Sequence, residues 1–284
     1  MAVSLRELID DVGAETGDFR SVVSGLSAAD WRRSIRPSWS VGDAVSRLVL
    51  VDEMAILALS DPSTFRAQVD QMIARVRGGA DYDLAIEDVA GLHPGVRYRD
   101  LAPADLLDCF DSARSRMVRD LAASDPRARV PWAGPGMSVA TLATARLMDT
   151  WVYGYEIGEA VQMRQVFTDR LRHTAHLGVR TFAFSYTVRG RPVPEEPVHV
   201  ELTLPSGAVW TAGPDTASNT VHGTAADFCL VTTQRLRLQD TDLKVNGPTA
   251  TEWLENAQAY TELTDPGGPQ PDSGTNGVVS SWQN

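Results

Sequence analysis

The sequence predicts an α+β protein: a helical bundle over residues 1–189, a small α+β domain over 190–262 and a disordered tail over 263–284. Three observations carry this. Apolar residues recur at helical spacing through the first two-thirds of the chain, behind residues that cap helices. After Arg189 the pattern changes to short alternating runs, Val198 to Leu204 and Ala208 to Thr211, around the turn Pro205-Ser206-Gly207. From Thr261 onward the chain is rich in Gly, Pro and Ser and holds neither Lys nor Arg, a composition too poor in apolar surface to offset the entropy of ordering.

The elements follow in order. Ser4-Leu5-Arg6-Glu7 has the form of a capping box, and Leu5, Leu8, Val12, Phe19 and Val22 or Val23 mark the buried side of the first helix. Ser40 opens the second, with Val41, Ala44, Val45, Leu48, Leu50 or Val51, and Ala55 inward. Asp61-Pro62 ends it, because the residue before proline is pushed out of helical geometry. A third helix runs from Pro62 to Arg77 and stops at Gly78-Gly79. The stretch 80–100 is mixed. Pro103 fits the first turn of another helix, with Leu106, Leu107, Phe110, Met117 and Leu121 inward and an end at Asp125-Pro126. Pro131 to Met137 reads as irregular. Ser138 caps a long helix reaching about Val161, and Thr168 starts one towards Tyr186. Pro192, Pro194 and Pro197 form a linker. Beyond the hairpin come a strand from Ser218 to His222, a helix from Thr224 to Leu236, a strand from Thr241 to Asn246 and a helix from Thr249 to Ala259.

Charge narrows the function. With 26 basic against 37 acidic residues among 284, a net of −11, the chain has no general attraction to phosphate backbones, which argues against nucleic-acid binding. No apolar run approaches the roughly 20 residues that span a bilayer, and the N-terminus lacks a signal-peptide profile, so no membrane partner and a cytoplasmic location are expected. Cys109 and Cys229 sit in apolar settings and read as buried thiols, not as a disulfide.

The densest polar stripe lies on the helix after Ser138. Arg146, Asp149, Tyr153 and Glu156 are spaced three, four and three apart, which puts them on one face. The second helix carries Arg47 with Asp43 and, less well aligned, Asp52 and Glu53. A bundle can aim such residues into one central pocket; the plainer reading is a solvated face laced with ion pairs. His173 and His176 are helix neighbours but lack a positioned carboxylate, so they read as surface or helix-terminal histidines. Gly134-Pro135-Gly136 has no preceding strand and no Lys-Ser/Thr after it, so it is not a phosphate loop.

Trp39-Ser40-Val41-Gly42-Asp43 with Leu48 and Asp52-Glu53, then Gly136-Met137-Ser138 with Ala143-Thr144-Ala145-Arg146-Leu147-Met148, resemble the DinB-like superfamily. More closely, they resemble actinobacterial metal-binding proteins related to mycothiol-dependent maleylpyruvate isomerase. Thr168 to His173 and Ala226 to Leu230 continue the likeness, which covers about residues 3–262. The resemblance implies a four-helix bundle, a smaller α/β domain and a divalent metal, usually zinc, held in the bundle. It also implies a histidine where this sequence has Arg47, a glutamate at Asp149, a second histidine at Tyr153 and an aspartate at Glu156. Arginine keeps its proton and offers no lone pair to a metal, and a tyrosine ligand must first lose a proton with a pKa near 10. The expectation is that the metal site has been lost.

The expected function is therefore a metal-independent isomerase or cyclase acting on a small, largely apolar metabolite, with secondary metabolism as its setting and no cofactor. Arg47 would be a fixed cation, and Tyr153 and Asp149 would supply hydrogen bonds or move protons. Trp39, Asp52, Trp132, Arg146, Trp151 and Glu156 would bind the substrate, with Tyr155 a further lining residue and the protein forming a homodimer. The alternatives are a mycothiol-dependent transferase or isomerase and a non-catalytic small-molecule binding protein.

Overall fold

The computed structural model describes residues 4–37, 39–79, 98–132 and 136–259. Helix α1 (Leu5–Ser24) starts where Ser4 accepts the Glu7 N–H through its hydroxyl at 3.2 Å. Helix α2 (Val41–Ser60) has a complete capping box: Ser40 Oγ accepts the Asp43 N–H, and the Asp43 carboxylate accepts the Ser40 N–H at 2.8 Å. Asp43 is thus a capping residue and takes no part in the polar cluster described below. Asp61 closes α2 and caps α3 (Pro62–Arg77) through the Thr64 N–H at 3.0 Å. Helix α4 (Pro103–Ala122) carries its proline in the first turn, and α5 (Val139–Ala160) is capped by Ser138. The α4 helix ends at Ala122, one turn before the expected Asp125-Pro126 stop.

The bundle consists of α1, α2, α4 and α5. Helix α1 lies on α5 and α4, α2 lies on α4 and α5, and α3 flanks α2. Helices α2 and α5 are buried on most sides, in keeping with their many apolar residues, and Arg47, Asp52, Arg146 and Asp149 are buried with them. Leu48, Phe110, Leu142 and Ile157 are fully buried in this interior. Two short antiparallel pairs close the helix ends, β1 (Ser34–Arg36) with β2 (Trp39–Ser40) and β3 (Arg129–Val130) with β4 (Met137–Ser138). The second pair corrects the reading of Pro131 to Met137 as wholly irregular, because Met137 pairs with Val130.

The chain divides into two compact units, residues 1–165 and 166–284. The expected boundary at 189 assigned everything before the proline linker to the bundle. The helices at 171–187 instead pack within the second unit: α6 (Leu171–Arg180) on α8 (Ala225–Thr232), and α7 (Phe182–Thr187) on α9 (Pro248–Glu255). The single helix expected from Thr168 to Tyr186 is broken at Thr181.

The second unit is built on a sheet of order β6-β5-β7-β8, with strands Val198–Thr203 (β5), Val209–Ala212 (β6), Asn219–Thr224 (β7) and Lys244–Asn246 (β8). The central pair β5/β7 is parallel, Val200 opposite Val221, and the two outer pairs are antiparallel. Helix α9 is capped from the sheet: Asn219 Oδ1 accepts the Thr249 N–H at 3.0 Å. Gly247 permits this approach at φ 90°, since a Cβ there would collide with that oxygen. Cys229 is fully buried, and burial pushes its thiol well up; Cys109 is partly buried and its thiol is raised for the same reason. His173, in the first turn of α6, is helix-terminal as read but buried and not at the surface, while His176 is exposed. No described helix is long and apolar enough to cross a membrane. The expected tail at 263–284 lies outside the described residues.

Candidate functional site

The 3-4-3 stripe of α5 faces the bundle interior, where it forms two clusters. The deeper one begins at Asp52 on α2, which has no exposed surface. Arg114 of α4, itself 3% exposed, donates Nε–H to Asp52 Oδ2 at 2.6 Å. Its Nη1 donates to Thr150 Oγ1 of α5 at 2.8 Å and to Thr16 Oγ1 of α1 at 3.0 Å. The two threonine hydroxyls are free to accept because they donate their own protons to backbone carbonyls one turn back, at Arg146 and Val12. One guanidinium thereby ties all four bundle helices together. Burial raises the Asp52 pKa, and the charges of Arg114, which is also hydrogen-bonded to it, and of Arg146 oppose that rise.

Arg146 continues the cluster along α5. Its Nη2 meets Asp149 Oδ2 at 2.8 Å, both side chains almost wholly buried, and its guanidinium lies 4.9 Å from the centre of the Trp132 ring. Trp132 in turn stacks on Phe65 of α3 at 5.7 Å, so one aromatic pair forms an apolar wall beside the guanidinium.

The second cluster is two turns further along α5. Tyr153 and Trp39 stack with their rings 6.3 Å apart and nearly parallel, at 6°. The Arg36 guanidinium lies 4.2 Å from the Trp39 ring and 5.5 Å from that of Tyr153, with Glu156 Oε2 3.8 Å from its Nη2. Arg47, 5% exposed, approaches the same tryptophan at 5.8 Å. The β1/β2 hairpin positions this group: it supplies Arg36 and Trp39 together, immediately before the Ser40 cap that starts α2 and so fixes where Arg47 falls.

The structure thus joins Arg47, Trp39, Tyr153 and Glu156 around one ring, and Asp52, Arg146, Asp149 and Trp132 through ion pairs and a ring contact. Trp151 falls on another face of α5, two residues and about 200° from both Asp149 and Tyr153, where it meets Tyr155 at 6.3 Å. Two charged participants were not singled out in the sequence. Arg114 had a readable signal: it interrupts the Phe110–Met117–Leu121 stripe at the helical position between Phe110 and Met117, so a charge had to enter the core there. Arg36 had none, because nothing in Ser34 to Trp39 announces a hairpin this short.

The positions at which a metal was implied hold Arg47, Asp149 and Tyr153. A guanidinium has no lone pair to give, a neutral phenol is a poor donor, and the one carboxylate already neutralises Arg146. This set does not fit a divalent cation. Among the described residues, no three His, Cys, Asp or Glu side chains are grouped to hold one.

Comparison with known proteins gives three findings. The family profile described as the mycothiol maleylpyruvate isomerase N-terminal domain matches residues 12–158. Two proteins of Mycobacterium tuberculosis, from strains H37Rv and CDC 1551 / Oshkosh and each described as uncharacterized, are 36% identical over 253 residues, 89% of this chain and 94% of theirs. Among solved structures, mycothiol-dependent maleylpyruvate isomerase aligns over 87% of this chain and 96% of its own, with 15% identity and a TM-score of 0.49. A single-site mutant of the same enzyme gives 16% and 0.48.

Proposed function

Because the chain belongs to the mycothiol maleylpyruvate isomerase N-terminal domain family, we propose that it is an isomerase-class enzyme acting on a small carbonyl-bearing metabolite, with guanidinium groups in the place of a metal. The observation that carries this reading is Arg47. It stands at an implied ligand position, almost fully buried, beside the Trp39–Tyr153 stack.

Isomerising a double bond conjugated to a carbonyl requires negative charge to pass onto the carbonyl oxygen. A fixed, preorganised cation in a site of low water content stabilises that charge as a bound metal would, and the loss of one such donor typically costs about a hundredfold to a thousandfold in turnover. Arg47 takes this role. Tyr153, two turns beyond Arg146 on α5, donates a hydrogen bond to the same oxygen. The Glu156 carboxylate, one turn further, is the nucleophile that adds to the β carbon, lets the former double bond rotate while the charge rests on the oxygen, and leaves as the double bond re-forms. Asp149 holds Arg146 in place through their ion pair. Trp39 and Trp132 supply flat apolar walls for an unsaturated substrate. A cyclase follows the same logic when the carbonyl is attacked from within the molecule.

A second reading keeps the thiol, and the family description itself favours it. A cation such as Arg47 stabilises a thiolate, so low-molecular-weight thiol chemistry does not require a metal here. One experiment separates the two. Purified protein is given maleylpyruvate with and without mycothiol, and formation of the trans isomer is followed. Turnover that needs no thiol and collapses in Arg47→Ala is the expected result. Turnover only with mycothiol selects the thiol reading, and no turnover in either arm, with saturable binding that raises the melting temperature, selects a binding protein.

A further inference from the structure

The inner cluster contains more polar capacity than its own contacts use. Asp52 Oδ1, Arg114 Nη2, and Nε and Nη1 of Arg146 are buried and have no hydrogen-bond partner among the described residues. The three side chains are at least nineteen-twentieths buried. They also meet: Arg114 is bonded to Asp52, and the Arg146 charge acts on the same carboxyl. Native proteins leave very few buried polar atoms unpaired, because each one forfeits its hydration without a compensating bond. Here one acceptor and three donors come from side chains of α2, α4 and α5 that are linked to one another, with Arg146 also against the Trp132 ring.

We propose that Asp52, Arg114 and Arg146 form an inner subsite for the uncharged polar end of a small ligand, one that carries a carbonyl oxygen next to an O–H or N–H donor. The proposal rests on the reading of the bundle interior as a small-molecule site, and adds which end of the ligand goes in first.

The donor inventory sets the pattern. The arginine N–H groups require an acceptor, which a carbonyl provides with two lone pairs; Asp52 Oδ1 requires a donor, which a neighbouring hydroxyl, enol or amide N–H provides. Charge sets the rest. Asp52 with Arg114 and Asp149 with Arg146 are two internal ion pairs, so the cluster is balanced before anything binds. A carboxylate would add an unbalanced charge in a buried place and bring a second anion towards Asp52, whereas a neutral group adds none. A ketone or ester without the donor would leave Asp52 Oδ1 unmatched.

The test uses three small probes of similar size on the whole protein: propionamide, propionate and butanone. Dissociation constants come from ligand-observed NMR titration at fixed ionic strength. Propionamide is expected to bind about tenfold more tightly than either of the others, the worth of one hydrogen bond to a charged group. Asp52→Asn should erase the advantage over butanone, and Arg146→Met should weaken propionamide by about the same factor. If a variant fails to fold, the ranking of the three probes on the wild-type protein still decides. Tighter binding of propionate would make the subsite an anion site, and no binding of any probe would leave it a network satisfied by water; either overturns the proposal. Failure of maleylpyruvate turnover alone would remove the reaction assigned above and leave this ranking untouched.

Discussion

The two polar clusters of the bundle use the same side-chain types and solve opposite problems. In the inner cluster, Arg114 makes three hydrogen bonds of 2.6–3.0 Å to three different helices, and Asp52 is shut off from water. In the outer one, Arg36 and Arg47 approach an aromatic ring, and the Arg36–Glu156 separation of 3.8 Å is longer than a hydrogen bond. Directed bonds tie the first arginine to three other helices, and a flat ring gives the other two a cation–π contact that strengthens as water is excluded. The reaction proposed above is assigned to the outer cluster, while in the inner one Arg114 links the four helices and buried polar atoms are left over for the proposed ligand end.

Breaking the inner cluster should have the largest effect. Arg114→Ala leaves Asp52 as a buried charge without its partner and should destabilise the protein by about 3–5 kcal/mol in urea denaturation; a loss below about 1 kcal/mol would mean that the pair is not holding the bundle. In the outer cluster the effect should fall on catalysis. Arg47→Ala is expected to lower turnover by about a hundredfold to a thousandfold, with the circular dichroism of a folded bundle. Tyr153→Phe keeps the stack on Trp39 and removes only the hydroxyl, so about a hundredfold loss in turnover with KM little changed is expected. A raised KM with turnover unchanged would make Tyr153 a binding residue only. A milder probe of the inner cluster is Thr150→Val, which preserves shape and removes one acceptor from Arg114, at a cost of about 1.5 kcal/mol in the same denaturation assay.

Acid titration sharpens the contrast between a buried carboxylate and a partly exposed one. Asp61, capping α3 at the surface, has its pKa lowered from 3.8 to about 2 by hydrogen bonds from Ser63 and Thr64. Its folded pKa lies below the unfolded one, so its contribution is complete above 3.8 and is lost as pH falls towards about 2. Asp52 is shifted the other way by burial, so its contribution is present at low pH and diminishes as pH rises. Asp61→Asn keeps a capping side chain and should flatten the stability profile between about pH 4 and 2. An unchanged profile there would show that the cap does not titrate as part of folding.

Much of this was legible in the sequence because it is governed by local rules. Ser4, Ser40 and Ser138 cap the helices they were expected to cap, and Asp61-Pro62 separates α2 from α3. The hairpin around Pro205-Ser206-Gly207 forms strands within one residue of those read from alternation. The stripe Arg146–Asp149–Tyr153–Glu156 was likewise legible from periodicity. What sequence did not provide was partnership. Spacing puts Arg146 and Asp149 three apart on one face, within reach of their ion pair, but leaves Asp52 less well aligned and cannot show that Arg114 meets it, because that contact spans 62 residues. The boundary between the units was misplaced for a related reason. Helix α6 is amphipathic like the bundle helices, and only its packing against α8 assigns it to the sheet-containing unit.

The central claim is that guanidinium groups stand where a metal was implied. Its most direct test is the zinc retained by tag-free protein after loading and desalting, measured by inductively coupled plasma mass spectrometry. The account predicts less than about a tenth of an equivalent, because Arg47, Tyr153 and an Asp149 already paired with Arg146 cannot assemble a ligand set. Retention of about one equivalent that is lost in Asp149→Asn would contradict it, and would place a metal at the centre of the reaction.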